Sequence, residues 1–205
     1  MSVVVKICGL TSSQDAEAVA AAGADAIGMV FYAPSSRAVS LPQAAEISRS
    51  IPPGIVRVGV FVDAAPEFVQ AALRQCELNL LQFHGHEDPD YCRQFGVMTM
   101  KAFRVRDAAS LEPLADYFTE AFLLDTYSAD KLGGTGDRFD WALAREARNF
   151  GKPIFLAGGL TPGNVAEAVR AAQPYAVDVS SGVESSPGKK DIEKVKEFIR
   201  AAKAA

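Results

Sequence analysis

The stretch VVVKIC at residues 3–8 decides the fold, because it places Lys6 and Cys8 inside a short β-branched run. Neighbouring side chains of a strand point to opposite faces. The apolar side chains at positions 3, 5 and 7 therefore share one face, and Lys6 and Cys8 share the other. A charged residue within an apolar strand needs a partner, so this strand predicts an opposite charge close to Lys6.

Similar runs recur along the whole chain. They begin near residue 3 and then near Asp25, Ile55, Asn79, Met98, Ala121, Pro153 and Ala176. Each interval has room for a strand, a helix and two short loops. Helix signals predict helices at 12–22, 42–50, 66–75, 88–95, 111–118, 164–172 and 191–203.

Eight strand–helix units are compatible with an open doubly wound sheet or with a closed barrel. The count of eight favours closure into a single-domain (β/α)₈ TIM barrel over residues 1–205. In such a barrel the first and last strands are neighbours, so Asp178 of strand eight is the predicted partner of Lys6. Asp125 at the end of strand six is likewise expected to face inward.

Composition excludes several function classes. The net charge of −4 gives no support for nucleic-acid or anionic-membrane binding. The sequence shows no signal-peptide pattern and no apolar run of 18 residues. Three cysteines without CxxC spacing predict a reducing, cytoplasmic location rather than a disulfide framework. No cluster has metal-ligand spacing, and no cofactor is expected.

The chemistry is expected at the carboxyl ends of the strands. Cys8 and Asp125 lie at two such ends and are predicted to form an acid–base pair across one cavity. Lys6 is expected to favour the Cys8 thiolate unless its pairing with Asp178 blunts that effect. Desolvation is expected to keep Asp125 protonated. The alternatives are a buried packing thiol and a structural carboxylate.

Two small-residue turns predict a phosphate site. Gly158-Gly159 follows strand seven, and Ser181-Gly182 follows strand eight, which are the usual phosphate positions of these barrels. Gly134 belongs to a GGTG run after strand six that is compatible with a lid, a phosphate contact or a merely flexible loop.

Three further residues are predicted substrate contacts. The guanidinium of Arg37 suits a carboxylate, although surface arginines are more often solvated. His84 is expected to form part of the wall as a hydrogen-bonding residue, and Asp178 faces the same interior. Cys76 and Cys92 are interpreted as packing residues.

The chain also resembles a known family. KICGLT at 6–11, FYAPSSR at 31–37, QFHG at 82–85, LD at 124–125 with the following GGTG, LAGGL at 156–160 and VDVSSGVE at 177–184 are similar to the motifs of phosphoribosylanthranilate isomerases. The resemblance implies an Amadori rearrangement of N-(5-phosphoribosyl)anthranilate to 1-(2-carboxyphenylamino)-1-deoxyribulose 5-phosphate in tryptophan biosynthesis. It also implies that Cys8 is the general base and Asp125 the general acid, with no cofactor. A monomer or a homodimer is expected.

Three alternatives remain open at this point. A histidine-pathway isomerase would carry an aspartate where this chain has Cys8. An indoleglycerol-phosphate synthase-like lyase would need a catalytic lysine, for which Lys6 and Lys101 are candidates, and inward glutamates that are missing. A sugar-phosphate-binding module without catalysis would bind the substrate and leave it unchanged.

Overall fold

The computed structural model describes residues 2–126 and 141–205, which form a closed barrel of eight parallel strands. The strands pair in chain order, and β1 closes the barrel against β8. Their bounds are β1 Val4–Cys8, β2 Ala26–Val30, β3 Val56–Phe61, β4 Leu80–Phe83, β5 Met98–Val105, β6 Ala121–Thr126, β7 Ile154–Ala157 and β8 Ala176–Val179. The predicted (β/α)₈ barrel is confirmed.

Helices follow the strands on the outside of the barrel. Their bounds are α1 Ser13–Ala21, α2 Leu41–Ser50, α3 Pro66–Gln75, α4 Pro89–Arg93, α5 Trp141–Ala147, α6 Val165–Ala172 and α7 Ile192–Lys203. The helix predicted at 111–118 is a 3₁₀ helix over Ala108–Asp116 that contains Pro113. Proline lacks the N–H that an α-helix interior uses, which disfavours an α-helix there. None of the helices described is long and apolar enough to cross a membrane.

Strand side chains alternate between two apolar layers. Ile7, Leu124 and Val177 are among those packed between the barrel and the helices. Met100 and Leu123 are among those that fill the barrel interior together with Cys8. Because side chains alternate along β1, Ile7 packs against the helices and Cys8 points into the barrel interior.

Lys6 and Asp178 form the predicted ion pair inside the barrel. The two residues are opposite each other in the β1–β8 register, and Lys6 Nζ donates to Asp178 Oδ1 at 2.8 Å. Their side chains are 0 % and 8 % exposed. Two charges in a dry interior are tolerated because each neutralises the other.

A short hairpin follows β8 and was not predicted. It consists of β9 Glu184–Ser186 and β10 Lys189–Lys190, which pair antiparallel. Gly188 turns the chain with φ +81°, a conformation that favours glycine. The hairpin returns the buried Lys190 side chain to the carboxyl end of β1.

Candidate active site

A cavity of about 510 Å³ opens at the carboxyl ends of the strands. It brings together nine of the ten predicted site residues, and Gly134 lies outside the described ranges. The nine are Cys8, Arg37, His84, Asp125, Gly158, Gly159, Asp178, Ser181 and Gly182, and Gln82 and Arg104 also line the cavity. Within residues 2–126 and 141–205, no three His, Cys, Asp or Glu side chains are grouped so as to hold a metal ion.

The Cys8 thiol lies at the end of β1 and is buried. Gly28 is opposite it on β2, and a Cβ at position 28 would lie 2.7 Å from Cys8 Sγ, so a glycine there leaves room for the sulfur. Burial has the largest effect on the pKa of Cys8 and raises it above 9.0, although the Lys6 charge acts in the opposite direction. The expectation that Lys6 favours a thiolate is therefore outweighed by burial, and Asp178 also raises the pKa.

The Asp125 carboxyl lies at the end of β6, where its side chain is 33 % exposed. It is paired in register with Arg104 of β5 and Ala157 of β7. Its Oδ2 is 3.3 Å from His84 Nε2. The desolvation expected from sequence is thus only partial, and a histidine ring contacts the carboxyl group directly.

A buried amide lies behind that histidine. Gln82 is on β4 and is 1 % exposed, and its Nε2 is 3.0 Å from His84 Nδ1. The Gln82 Oε1 atom is buried and has no hydrogen-bond partner among the residues that the structure describes. Gln82 belongs to the QFHG motif, but its contact with His84 could not be predicted from sequence, because it depends on how the chain turns at the end of β4.

Arg37 is held by a carboxylate that sequence reasoning missed. Its Nε and Nη2 donate to Glu184 Oε1 and Oε2 at 2.8 and 2.6 Å. Lys190 Nζ donates to the same Glu184 Oε1 at 2.9 Å and to the Cys8 carbonyl at 2.6 Å. Arg37 is therefore not a freely solvated side chain, and its guanidinium edge reaches the cavity already oriented.

Glu184 is ionised at the centre of this network. Burial has the largest single effect on its pKa and acts to raise it, but the hydrogen bonds and charges of Arg37 and Lys190 together lower the pKa below 4.5. In the sequence, the only sign of this carboxylate is that Glu184 ends the VDVSSGVE motif. Its distance of 147 residues from Arg37 in sequence concealed the contact.

The predicted phosphate turns lie side by side at the ends of β7 and β8. Gly158 and Gly159 have φ of +84° and +63°, and Ser181–Val183 forms one 3₁₀ turn. A Cβ at Gly182 would overlap the Leu160 carbonyl oxygen, so the two turns are in backbone contact. Glycine-rich backbone that faces a cavity in this manner suits a phosphate group.

Known proteins are similar to this sequence over nearly the whole chain. The family model described as N-(5'-phosphoribosyl)anthranilate (PRA) isomerase matches residues 5–201. The N-(5'-phosphoribosyl)anthranilate isomerase of Trichlorobacter lovleyi is 56 % identical over 201 residues, which are 98 % of each chain.

Two solved structures are also similar over nearly the full chain. The phosphoribosyl anthranilate isomerase of Thermotoga maritima is 42 % identical with a TM-score of 0.92, covering 99 % of this chain and 100 % of that one. A structure of such an isomerase in complex with reduced 1-(o-carboxyphenylamino)-1-deoxyribulose 5-phosphate is 40 % identical with a TM-score of 0.90, and the coverage is again 99 % and 100 %. This chain belongs to the N-(5'-phosphoribosyl)anthranilate isomerase family.

Proposed function

We propose that this chain converts N-(5-phosphoribosyl)anthranilate to 1-(2-carboxyphenylamino)-1-deoxyribulose 5-phosphate with Cys8 as general base and Asp125 as general acid. The observation that carries the proposal is one cavity into which Cys8 of β1, Asp125 of β6 and the glycine turns after β7 and β8 all open. A thiol, a carboxyl group and a phosphate cradle are the groups that this rearrangement needs.

The first step is ring opening. Asp125 gives its proton to the ribose ring oxygen as the bond between that oxygen and C1 breaks. The lone pair of the anthranilate nitrogen forms the C1=N bond, which leaves a positively charged Schiff base. Substrate over the cavity excludes water from Asp125 and completes the desolvation that is only partial in its absence.

The second step is proton removal from C2. Cys8, as its thiolate, takes this proton, the electrons of the C–H bond form C1=C2, and the C=N π electrons return to nitrogen. The resulting enolamine tautomerises to the ketone. Atoms and charge balance without a redox partner, and each positioned proton-transfer group contributes about 10²–10⁴-fold to the rate.

The remaining site residues are assigned to binding. Gly158, Gly159, Ser181 and Gly182 hold the phosphate through backbone N–H groups. Arg37, presented by Glu184, pairs with the anthranilate carboxylate. His84 and Asp178 line the same cavity, and the predicted contact at Gly134 stays a prediction.

Fluorescence-monitored consumption of freshly generated N-(5-phosphoribosyl)anthranilate tests the proposal. Cys8→Ser and Asp125→Asn should each keep product affinity and lose at least about 10²-fold in kcat. Asp116→Asn, which changes an exposed carboxylate outside the cavity lining, is the matched control and should keep full activity.

Three results would reject the assignment. Turnover of the histidine-pathway substrate alone would point to the related isomerase, and tight binding without turnover would point to a binding module. Unchanged kcat in both Cys8→Ser and Asp125→Asn would exclude them as the acid–base pair.

Location and assembly complete the proposal. The three free cysteines support a reducing compartment such as the cytoplasm. The chain acts on a small sugar phosphate as a monomer or homodimer. Light scattering coupled to size-exclusion chromatography distinguishes the two assembly states.

A further inference from the structure

A chain of hydrogen bonds runs from the barrel wall to the proposed acid. Gln82 Nε2 is 3.0 Å from His84 Nδ1, and His84 Nε2 is 3.3 Å from Asp125 Oδ2. Gln82 lines the cavity but is only 1 % exposed, whereas the Asp125 side chain is 33 % exposed. The chain therefore connects a buried amide to a group that exchanges a proton with substrate.

The direction of these hydrogen bonds follows from the chemistry of the three groups. An amide nitrogen only donates, so Gln82 Nε2 requires His84 Nδ1 to be the accepting nitrogen. A neutral imidazole that accepts at Nδ1 carries its proton at Nε2. That N–H then points at Asp125 Oδ2, which must accept.

We propose that Gln82 and His84 are positioning residues for the general acid: Gln82 fixes the Nε2–H tautomer of His84, and His84 holds Asp125 Oδ2. This inference rests on the proposed function, because it assigns the transferable proton of Asp125 to Oδ1. Oδ1 is the oxygen left to face the substrate. After the proton is transferred, the same N–H donates to the carboxylate that remains, which stabilises the charge as it forms.

The opposite arrangement is chemically distinct and measurable. Rotation of the Gln82 amide would bring Oε1 to His84 Nδ1 and give that orphaned oxygen a donor. His84 would then carry its proton at Nδ1, and Nε2 would accept from Asp125. The two arrangements differ in the orientation of the Gln82 amide and in the position of the imidazole proton, so a spectroscopic measurement decides between them.

Nitrogen-15 NMR of the imidazole ring reads the tautomer without any assay of activity. The chain has two histidines, and His86→Ala leaves His84 as the only one. His86 is almost fully exposed and outside the cavity lining, so its removal should not change turnover. The expected spectrum at neutral pH shows a protonated Nε2 and an unprotonated Nδ1. A protonated Nδ1 with an unprotonated Nε2 would overturn the proposal.

Substitutions at Gln82 test the function of the tautomer. Gln82→Leu removes the donor and should lower kcat on the order of 10-fold, a fraction of what a positioned acid contributes, with KM within about twofold. Gln82→Glu offers only acceptors and should move the His84 proton to Nδ1 and also lower kcat. His84→Gln retains an amide N–H that can reach Asp125 and should recover more activity than His84→Ala.

A double-mutant comparison separates positioning from a merely structural effect. In the Asp125→Asn background, Gln82→Leu should cause no further loss, because the group it positions is gone. Losses that multiply in the double variant, or an unchanged kcat in Gln82→Leu, would refute the positioning role. A wild-type chain that fails to turn over the substrate would instead refute the proposed function, whatever tautomer the NMR spectrum shows.

Discussion

Gly182→Ala should separate the two turns that form the proposed phosphate site. The added Cβ would overlap the Leu160 carbonyl oxygen and lie 3.0 Å from its carbonyl carbon and 3.2 Å from Val179 Cγ2. Carbon atoms pack best at about 3.5–4.0 Å, so the two backbones must part by about 1 Å. A misplacement of that size can cost about 10²-fold in rate, and overpacking costs about 1–3 kcal/mol of stability.

Steady-state kinetics with N-(5-phosphoribosyl)anthranilate measures the effect. We expect kcat/KM to fall by about 10²-fold, mostly through KM, because phosphate contacts are similar in the ground and transition states. Inorganic phosphate should also lose potency as a competitive inhibitor. Gly163→Ala is the matched control, since its Cβ would meet only Thr161 Oγ1 at 3.8 Å. If Gly182→Ala stays within threefold of Gly163→Ala in kcat/KM, the two turns do not hold the phosphate.

Two other perturbations test the interior of the barrel. Lys6→Met should lower the free energy of unfolding by about 3–5 kcal/mol because it leaves Asp178 buried and unpaired, and adding Asp178→Leu should recover most of that loss. Urea denaturation measures the free energy of unfolding of both variants. A loss below about 1 kcal/mol in Lys6→Met would contradict this expectation. Burial raises the pKa of Cys8, which favours the protonated sulfur. Its alkylation by iodoacetamide, followed by peptide mapping, should therefore rise roughly tenfold per pH unit to beyond pH 9, and a plateau below pH 8 would show that the thiolate forms readily.

Local pattern was sufficient to predict the barrel. The predicted start of each strand lies within one residue of the observed one, because a buried strand followed by a cap residue and a helix leaves a signal within some ten residues. The alternation in 3–8 also predicted the Lys6–Asp178 pair, since closure of an eight-stranded barrel makes β1 and β8 neighbours. Helix α5 was not predicted, whereas helices α1–α4, α6 and α7 were.

The network around Arg37 could not be predicted in the same way. Glu184 contacts Arg37, and Lys190 contacts Glu184, because β9 and β10 fold back towards the end of β1. Hairpins with two or three residues in each strand carry little periodic signal. The effect of Lys6 on the pKa of Cys8 could not be decided from sequence either. A neighbouring lysine two positions away suggested a thiolate, but the outcome depends on how much water the barrel excludes, and the sequence does not report that quantity.

The raised pKa of Cys8 favours one order of the two proton transfers in the proposed reaction. Burial favours the neutral sulfur, and the nearby Lys6 charge is already paired with Asp178. A new positive charge close to Cys8 favours its thiolate, and ring opening creates one at the anthranilate nitrogen. The same charge draws electrons from C1 and makes the C2 proton more acidic, so it favours both the donor and the acceptor of that proton. In the proposed reaction Asp125 therefore acts before Cys8, and the residues that hold Asp125 affect both steps.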